Sequence, residues 1–343
     1  MANVVGNPER ELFIKALWFK GKNTLEKYYF YSLNVKRDYR WLLMFLVARF
    51  PAGRAIGAFF YRDRSVVPKL RCDKVNKSTY RDTQSLNETY GDSNYTFIQS
   101  PSIFKDLDVE IAIKSIKKNG YCLGLQLPDS ILNEILEYAH SATISIDGNK
   151  GYEFKYSTKD RASRRYNCEI LIGNYLAVNS ECTAVQKLIK DPKLAEIAAG
   201  YLGGKPVLVR SQMGWTFVGS TEDYAQKGEI GRPTVLFHYD LDDYRAVKFF
   251  FYLTDVDSSR GSHRCVAGSH RKRKLVHFVL RGQSDQKIAD YYGAENIVEI
   301  SGQAGSGFIE DPFCFHRGSP PTTAPRLMIQ LEFALNDYGM WKF

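Results

Sequence analysis

The chain has 343 residues, of which 44% are hydrophobic and 25% charged, a balance that excludes global disorder and allows a sizeable buried core. Its formal net charge of +9 suits an anionic partner as well as a generally basic, solvated surface. The six cysteines include no C-x-x-C pair, which argues against a disulfide framework and a structural zinc site. The polar N-terminus lacks the apolar run of a signal peptide, so we expect a cytoplasmic protein.

Residues 1–100 are predicted to form a basic, partly helical extension that ends in a polar linker. Its two apolar runs, Trp41–Phe50 and Ala55–Tyr61, are shorter than the roughly 20 apolar residues that span a bilayer. Two interpretations follow for residues 36–64, namely peripheral contact with a membrane or a helical hairpin packed on the main domain. We favour the hairpin, because most apolar helix faces are buried inside the protein.

Residues 101–343 are predicted to form one domain that begins with helices. Asp108–Lys118 has helical spacing, Tyr121–Leu127 has the character of a short strand, and a second helix runs from about Asp129 to Ala139. The apolar spacing of Cys182–Tyr201 predicts a further continuous helix.

After residue 204 the pattern changes to short apolar or alternating runs separated by Gly, Pro, Ser and Asp clusters. Many short strands with turn signals between them are typical of a closed or double-sheeted antiparallel structure. The fold class is therefore predicted to be mainly β with flanking helices.

The first candidate metal ligands are His238 and Asp240, which form an H-x-D motif near a short apolar run. In a strand, residues i and i+2 project from the same face, so the two side chains would converge. The motif alone is weak, because a histidine at a strand end is more often a hydrogen-bonded structural residue than a ligand.

A third candidate ligand, His316, lies at the end of a later predicted strand, distant in sequence but close in a barrel. Two imidazoles and one carboxylate suit Fe(II) and leave three coordination positions open. A structural zinc site would need a fourth protein ligand, and the sequence offers no obvious one.

Arg326 follows His316 by ten residues and opens the predicted strand Leu327–Phe333. With a turn at Gly318–Pro325, the strands on either side can pair, which would bring Arg326 back beside the metal. A guanidinium inside a barrel is costly unless it meets a carboxylate, and its planar fork suits such a partner. A dicarboxylate cosubstrate would bind the metal at one end and Arg326 at the other.

The order of these four residues resembles that of the phytanoyl-CoA dioxygenase family of Fe(II)- and 2-oxoglutarate-dependent oxygenases. Phe249–Val256 is similar to the strand that follows H-x-D in that family, and Gly261–His270 is similar to its Gly-rich segment ending in G-S-H. The resemblance covers roughly residues 105–337.

This resemblance implies a double-stranded β-helix core (jelly-roll, cupin-like) over about residues 205–337, with Fe(II) held at its open mouth. It implies that 2-oxoglutarate chelates the iron and pairs with Arg326, and that O2 is consumed while succinate and CO2 are released. The usual outcome is hydroxylation of an unactivated C–H bond. Gln212 is a further candidate for hydrogen bonding to 2-oxoglutarate.

The substrate is expected to be a small molecule, a lipid or a glycan, and the sequence leaves the oligomeric state open. The basic residues Arg271–Lys274 and the cluster Arg161, Arg164 and Arg165 fit an anionic substrate as well as they fit solvated loops. No nucleic-acid partner is expected, because no reading motif with interleaved aromatic residues is present. Two alternatives are a catalytically silent relative that binds metal or ligand and a zinc-dependent hydrolase on a cupin-like barrel.

Overall fold

A computed structural model describes residues 39–48, 51–60, 101–226, 236–274, 277 and 281–339. The predicted linker and the start of the N-terminal extension lie outside the described residues. Among the helices that are described, none combines the length and the apolar character that crossing a membrane requires.

Eleven strands in the described ranges form two antiparallel sheets. The large sheet has the order β1-β9-β6-β11-β5-β4-β2-β3, and the small sheet has the order β10-β7-β8. The strands are β1 (Tyr121–Gln126), β2 (Ile144–Ile146), β3 (Glu153–Phe154), β4 (Ile172–Tyr175), β5 (Val207–Thr216), β6 (Ala246–Tyr252), β7 (His263–Val266), β8 (Ile297–Ile300), β9 (Ser306–Glu310), β10 (His316–Gly318) and β11 (Arg326–Ala334).

Ten α-helices in the described ranges accompany the sheets. They are α1 (Tyr39–Val47), α2 (Pro51–Phe60), α3 (Val109–Asn119), α4 (Asp129–Ser141), α5 (Lys159–Tyr166), α6 (Val178–Glu181), α7 (Thr183–Ile189), α8 (Pro192–Leu202), α9 (Thr221–Gln226) and α10 (Asp285–Tyr292).

The two faces of the large sheet have different partners, because alternate residues of a strand project to opposite sides. Phe249 and Phe251 of β6 belong to the main core together with residues of the helices. Phe250 and Tyr252 project to the other face and pack with Cys265 of the small sheet. One face is thus covered by helices, and the other encloses an interior with the small sheet. The predicted fold class, mainly β with flanking helices around a double-stranded β-helix core, is confirmed.

Local sequence signals explain several helix ends. Asp108 caps α3 by accepting a hydrogen bond from the backbone N–H of Ile111, and Gly120 ends the helix with a φ of 87°. The prediction of one continuous helix over Cys182–Tyr201 is wrong, because α7 and α8 are separate. Asp191 caps α8 at Pro192, which has no N–H to continue the hydrogen-bond pattern of the preceding helix.

The hairpin of α1 and α2 packs on the main domain. Met44 and Ala48 are fully buried and join the main core. Arg54 lies over the Phe313 ring at 3.3 Å from its centroid. These contacts agree with the favoured hairpin interpretation, and membrane contact stays a prediction that concerns the exposed side chains Leu43, Leu46 and Ile56.

The predicted pairing of the strands that carry His316 and Arg326 is wrong. β10 pairs with β7 in the small sheet, whereas β11 lies between β5 and β6 in the large sheet. The chain between them crosses from one sheet to the other. Arg326 still reaches the interior, where its guanidinium donates a hydrogen bond to the carbonyl of Gly261, just before β7.

Candidate metal centre and cosubstrate site

Backbone hydrogen bonds bring the H-x-D segment beside the distal histidine. His238 and His316 form an isolated antiparallel bridge, with N–H···O distances of 3.0 Å and 2.7 Å in the two directions. The N–H of Asp240 donates to the carbonyl of Pro312 at 2.8 Å. The predicted strand geometry is therefore limited to a short bridge, which is nevertheless sufficient to align the two segments.

The structure brings the three candidate ligands together. One ligand atom from each of His238, Asp240 and His316 lies within 4.8 Å of the others. The Nε2 atom of His238 is 3.7 Å from Oδ1 of Asp240, and Nε2 of His316 is 3.6 Å from Oδ2. Two imidazoles and a carboxylate that converge in this way can share one cation.

The second nitrogen of each imidazole faces a carbonyl. Nδ1 of His316 is 2.9 Å from the carbonyl oxygen of Cys314, and Nδ1 of His238 is 3.3 Å from that of Leu236. A carbonyl can only accept, so each Nδ1 carries the proton, and in the neutral imidazole each Nε2 keeps its lone pair. Both histidines therefore direct a basic nitrogen toward Asp240, as a metal site requires.

Electrostatics differ between the two histidines. Burial, reinforced by the neighbouring His316, lowers the pKa of His238 to about 3. Burial also opposes protonation of His316, but the carboxylates of Glu310 and Asp240 outweigh it and raise the pKa of His316. Burial likewise opposes ionisation of Asp240, yet Lys248 and the two histidines hold its pKa well below the usual range. A doubly charged cation would reinforce the ionised form of this carboxylate.

Glu310 is a functional candidate that the sequence reasoning missed. It is 1% exposed, and its carboxylate lies 2.7 Å from Nε2 of His263 and 3.7 Å from Nδ1 of His316. Its hydrogen bond is to His263, and at 3.7 Å it acts on the His316 imidazole through its charge. The only sequence signal was an acidic residue at the end of an otherwise apolar strand.

Lys248 projects from the same face of β6 as Phe250 and Tyr252, the face that encloses the interior. Its Nζ lies 2.6 Å from Oδ2 of Asp240 and 3.4 Å from the carboxylate of Glu332 on the neighbouring strand. The sequence reasoning gave no role to either Lys248 or Glu332.

Arg326 is 4% exposed and lies on the interior face of the large sheet. Besides its bond to Gly261, the guanidinium donates to the hydroxyl of Thr216 at 3.2 Å, while its Nε has no hydrogen-bond partner. No carboxylate in the described ranges forms an ion pair with it. Burial lowers the pKa of Arg326, and the neighbouring Tyr252 offsets only part of that effect. This buried cation therefore lacks the anion that a guanidinium in such a position normally has.

Gln212 lies on the same interior face of the large sheet, four residues before Thr216, the register partner of Arg326. Its side-chain amide donates to Asn174 at 2.6 Å and accepts from Gln330 at 2.9 Å and from Arg210. These contacts hold the amide in a network of protein side chains. Its bond to a cosubstrate stays a prediction.

The two basic segments have different surroundings. Arg273 is not a solvated loop cation, because its guanidinium lies 3.7 Å from the ring centroid of Tyr239 and its Nε donates to the carbonyl of Ser269. Lys274 lies over the Tyr291 ring at 4.5 Å. The arginines of α5, at positions 161, 164 and 165, are solvent-exposed. Arg273 thus braces the back of the H-x-D segment.

The chain is similar in sequence to one protein family and in fold to several solved structures. The sequence model of phytanoyl-CoA dioxygenase (PhyH) matches residues 163–328. No curated protein gives a significant match. Among solved structures, the α-ketoglutarate-dependent epimerase SnoN from nogalamycin biosynthesis is 15% identical with a TM-score of 0.43, and the match covers 66% of this chain and 82% of that one.

Two further solved structures give similar values. EctD from S. alaskensis, determined with 2-oxoglutarate and 5-hydroxyectoine, is 15% identical with a TM-score of 0.45, covering 68% of this chain and 80% of that one. AviO1 from Streptomyces viridochromogenes Tue57 is 14% identical with a TM-score of 0.38, covering 66% and 95%.

The segment matched by the family model, residues 163–328, contains the H-x-D motif, the distal histidine and the arginine in the expected order. The resemblance to the phytanoyl-CoA dioxygenase family that the sequence suggested is thus confirmed for this segment of the chain, residues 163–328.

Proposed function

We propose that this chain is an Fe(II)- and 2-oxoglutarate-dependent dioxygenase that hydroxylates an unactivated C–H bond of a small-molecule, lipid or glycan substrate. One observation carries the proposal above the others. The candidate metal ligands place three ligand atoms within 4.8 Å of one another. The same interior contains Arg326, a buried arginine that has no carboxylate partner in the described ranges.

The donor set fits Fe(II). His238 and His316 would each give a neutral Nε2, and Asp240 would give a carboxylate oxygen. Three protein ligands leave room for exogenous ones, whereas a structural zinc site is normally closed by a fourth protein ligand. When bound, Fe(II) together with 2-oxoglutarate supplies the activation of O2 for C–H oxidation, with succinate and CO2 as coproducts.

Arg326 would hold the far carboxylate of 2-oxoglutarate. Its unsatisfied Nε and its depressed pKa both indicate a cation that an incoming anion would stabilise. The Thr216 hydroxyl, already bonded to the guanidinium, fixes the orientation of the fork. A planar guanidinium binds a carboxylate through two parallel hydrogen bonds, which also sets the direction of the bound diacid.

The polar side chains on the interior face of the large sheet favour a substrate that has hydrogen-bonding groups. Gln212 and Gln330 project inward and bond to each other, and Arg210 and Asn174 extend this polar network. A pure hydrocarbon held against these side chains would strip them of water without replacing its hydrogen bonds. The described contacts of Arg273 show that this residue braces the fold, so the anion hypothesis rests on the remaining basic residues.

Anaerobic spectroscopy tests the proposal. Fe(II) plus 2-oxoglutarate should give a weak visible charge-transfer band, and His316→Ala should abolish it. His140→Ala, a change at an exposed histidine on α4, is the matched control and should leave the band intact. Binding of zinc without any iron–2-oxoglutarate band would favour the hydrolase alternative. An intact band with no succinate release on any substrate tested would favour the silent relative.

A further inference from the structure

β6 carries a lysine among six apolar residues, and this lysine is almost fully buried. Lys248 is 3% exposed, although every other residue of Ala246–Tyr252 is apolar. Removing an ammonium from water costs several kcal/mol unless close partners compensate it. A lysine in this position therefore needs specific partners.

Three carboxylates supply those partners. Nζ of Lys248 lies 2.6 Å from Oδ2 of Asp240, 3.4 Å from Glu332 and 3.6 Å from Asp242. Glu332 is directly opposite Lys248 in the β6–β11 register, so the sheet itself brings the two together. The shortest of the three contacts is the one to the candidate metal ligand.

The two oxygens of Asp240 consequently have different surroundings. Oδ2 is engaged by Lys248 at hydrogen-bond distance. Oδ1 is 3.7 Å from Nε2 of His238 and 3.9 Å from the guanidinium of Arg281, and both distances exceed a hydrogen bond. Oδ2 is thus held by Lys248 and lies 3.6 Å from Nε2 of His316, whereas Oδ1 has no hydrogen bond from Lys248 and faces Nε2 of His238.

We propose, on the basis of the function proposed above, that Lys248 is a positioning residue that restricts Asp240 to a single-oxygen bond with the metal ion. A carboxylate with both oxygens available can chelate a cation and occupy two coordination positions. Held by Lys248, Asp240 occupies one, so that three positions remain for the cosubstrate and O2. Asp240 and Asp242 balance the ammonium, which otherwise would repel the cation, whereas burial raises the pKa of Glu332 well above its usual range and favours its neutral form.

The proposal predicts opposite changes in two affinities when the ammonium is removed. Without Lys248 the cation loses a nearby positive charge and gains a second carboxylate oxygen, so metal binding should become about tenfold tighter. The extra oxygen competes with 2-oxoglutarate for a coordination position, so 2-oxoglutarate binding should become at least about tenfold weaker. A lysine that only stabilises the fold would not separate the two affinities in this way.

Co(II) titration of the purified full-length protein is the first measurement, because Co(II) can replace Fe(II) in such sites and its visible bands report the coordination number. The variants are Lys248→Met and the double variant Lys248→Met/Glu332→Gln. The double variant removes both members of a buried pair and keeps their volumes, which protects folding. Lys114→Met, at a lysine that is 75% exposed, is the matched control. 2-Oxoglutarate is then titrated into each Co(II)-loaded protein.

Tighter Co(II) binding, altered visible bands and weaker 2-oxoglutarate binding in the double variant, with Lys114→Met unchanged, would support the proposal. Unchanged bands and unchanged affinities in a folded double variant would overturn it. A wild-type protein that binds Co(II) no better than His316→Ala is a distinct result, which would overturn the proposed function and this inference with it.

Discussion

Replacement of Arg326 by methionine tests whether this arginine binds 2-oxoglutarate or only stabilises the fold. Methionine keeps most of the side-chain length and removes the charge. Arg326 is 4% exposed, and its guanidinium donates to Gly261 and Thr216 and has no carboxylate partner in the described ranges. We expect Arg326→Met to weaken 2-oxoglutarate binding strongly while changing the stability of the protein little.

The expected losses of binding and of stability differ because Arg326 is paired with a carboxylate only when 2-oxoglutarate is bound. Truncation of one member of a buried, hydrogen-bonded charge pair costs about 2–5 kcal/mol, which is about 30-fold to about 5,000-fold in the dissociation constant of 2-oxoglutarate. Without the cosubstrate, no pair exists to be broken. Relief of a desolvated charge then opposes the loss of two hydrogen bonds worth about 1 kcal/mol each, so the unfolding free energy should fall by no more than about 1 kcal/mol.

The assay is calorimetric titration of 2-oxoglutarate into the Fe(II)-loaded protein under argon, together with urea unfolding of the metal-free protein. Arg264→Met on β7 is the matched control, because Arg264 has a carboxylate partner, Glu299, at 2.9 Å and is partly exposed. The control should bind 2-oxoglutarate normally. Our reasoning would be refuted if Arg326→Met bound 2-oxoglutarate as the wild type does and lost about 3 kcal/mol or more of stability, the cost of breaking a buried pair.

Three further predictions concern stability and can be measured by urea unfolding. Burial raises the pKa of Asp243 to about 6 from 3.8, so its native form binds the proton more tightly and its contribution to stability is lost as pH rises between these values. Relative to Asp243→Asn, the wild type should lose about 3 kcal/mol between pH 3.5 and pH 7. Arg54→Met removes a guanidinium 3.3 Å from the Phe313 ring centroid and should cost about 1–2 kcal/mol. Gly120→Ala, at a φ of 87° and against the Cys314 side chain, should cost about 1–3 kcal/mol and also weaken metal binding.

Each of these predictions has an outcome that contradicts it. A difference between wild type and Asp243→Asn that does not change with pH would show that burial does not perturb this carboxyl. An Arg54→Met protein as stable as the wild type would mean that the α1–α2 hairpin is held by its apolar contacts alone. Normal metal affinity in a destabilised Gly120→Ala protein would show that the turn at Gly120 does not influence the candidate metal site.

Much of the local structure could be predicted from the sequence. Asp108 and Gly120 define the ends of α3 because capping depends on side chains and dihedral angles within a few residues. The mainly β character after residue 204 followed from alternating apolar residues, since burial of one face of a strand requires that pattern. The missed break at Asp191-Pro192 was also a local signal, and a stricter use of the proline rule would have found it.

The residue types and order of the candidate ligands were likewise available from the sequence, because an H-x-D motif, a distant histidine and an arginine ten residues later are one-dimensional features. Tertiary structure alone decided which sheet receives each strand, and it placed His316 and Arg326 in different sheets. It also decided that Lys248 meets Asp240. Such contacts depend on strand register and sheet closure, whose free energy comes from residues far apart in the chain, and no short stretch of sequence encodes them.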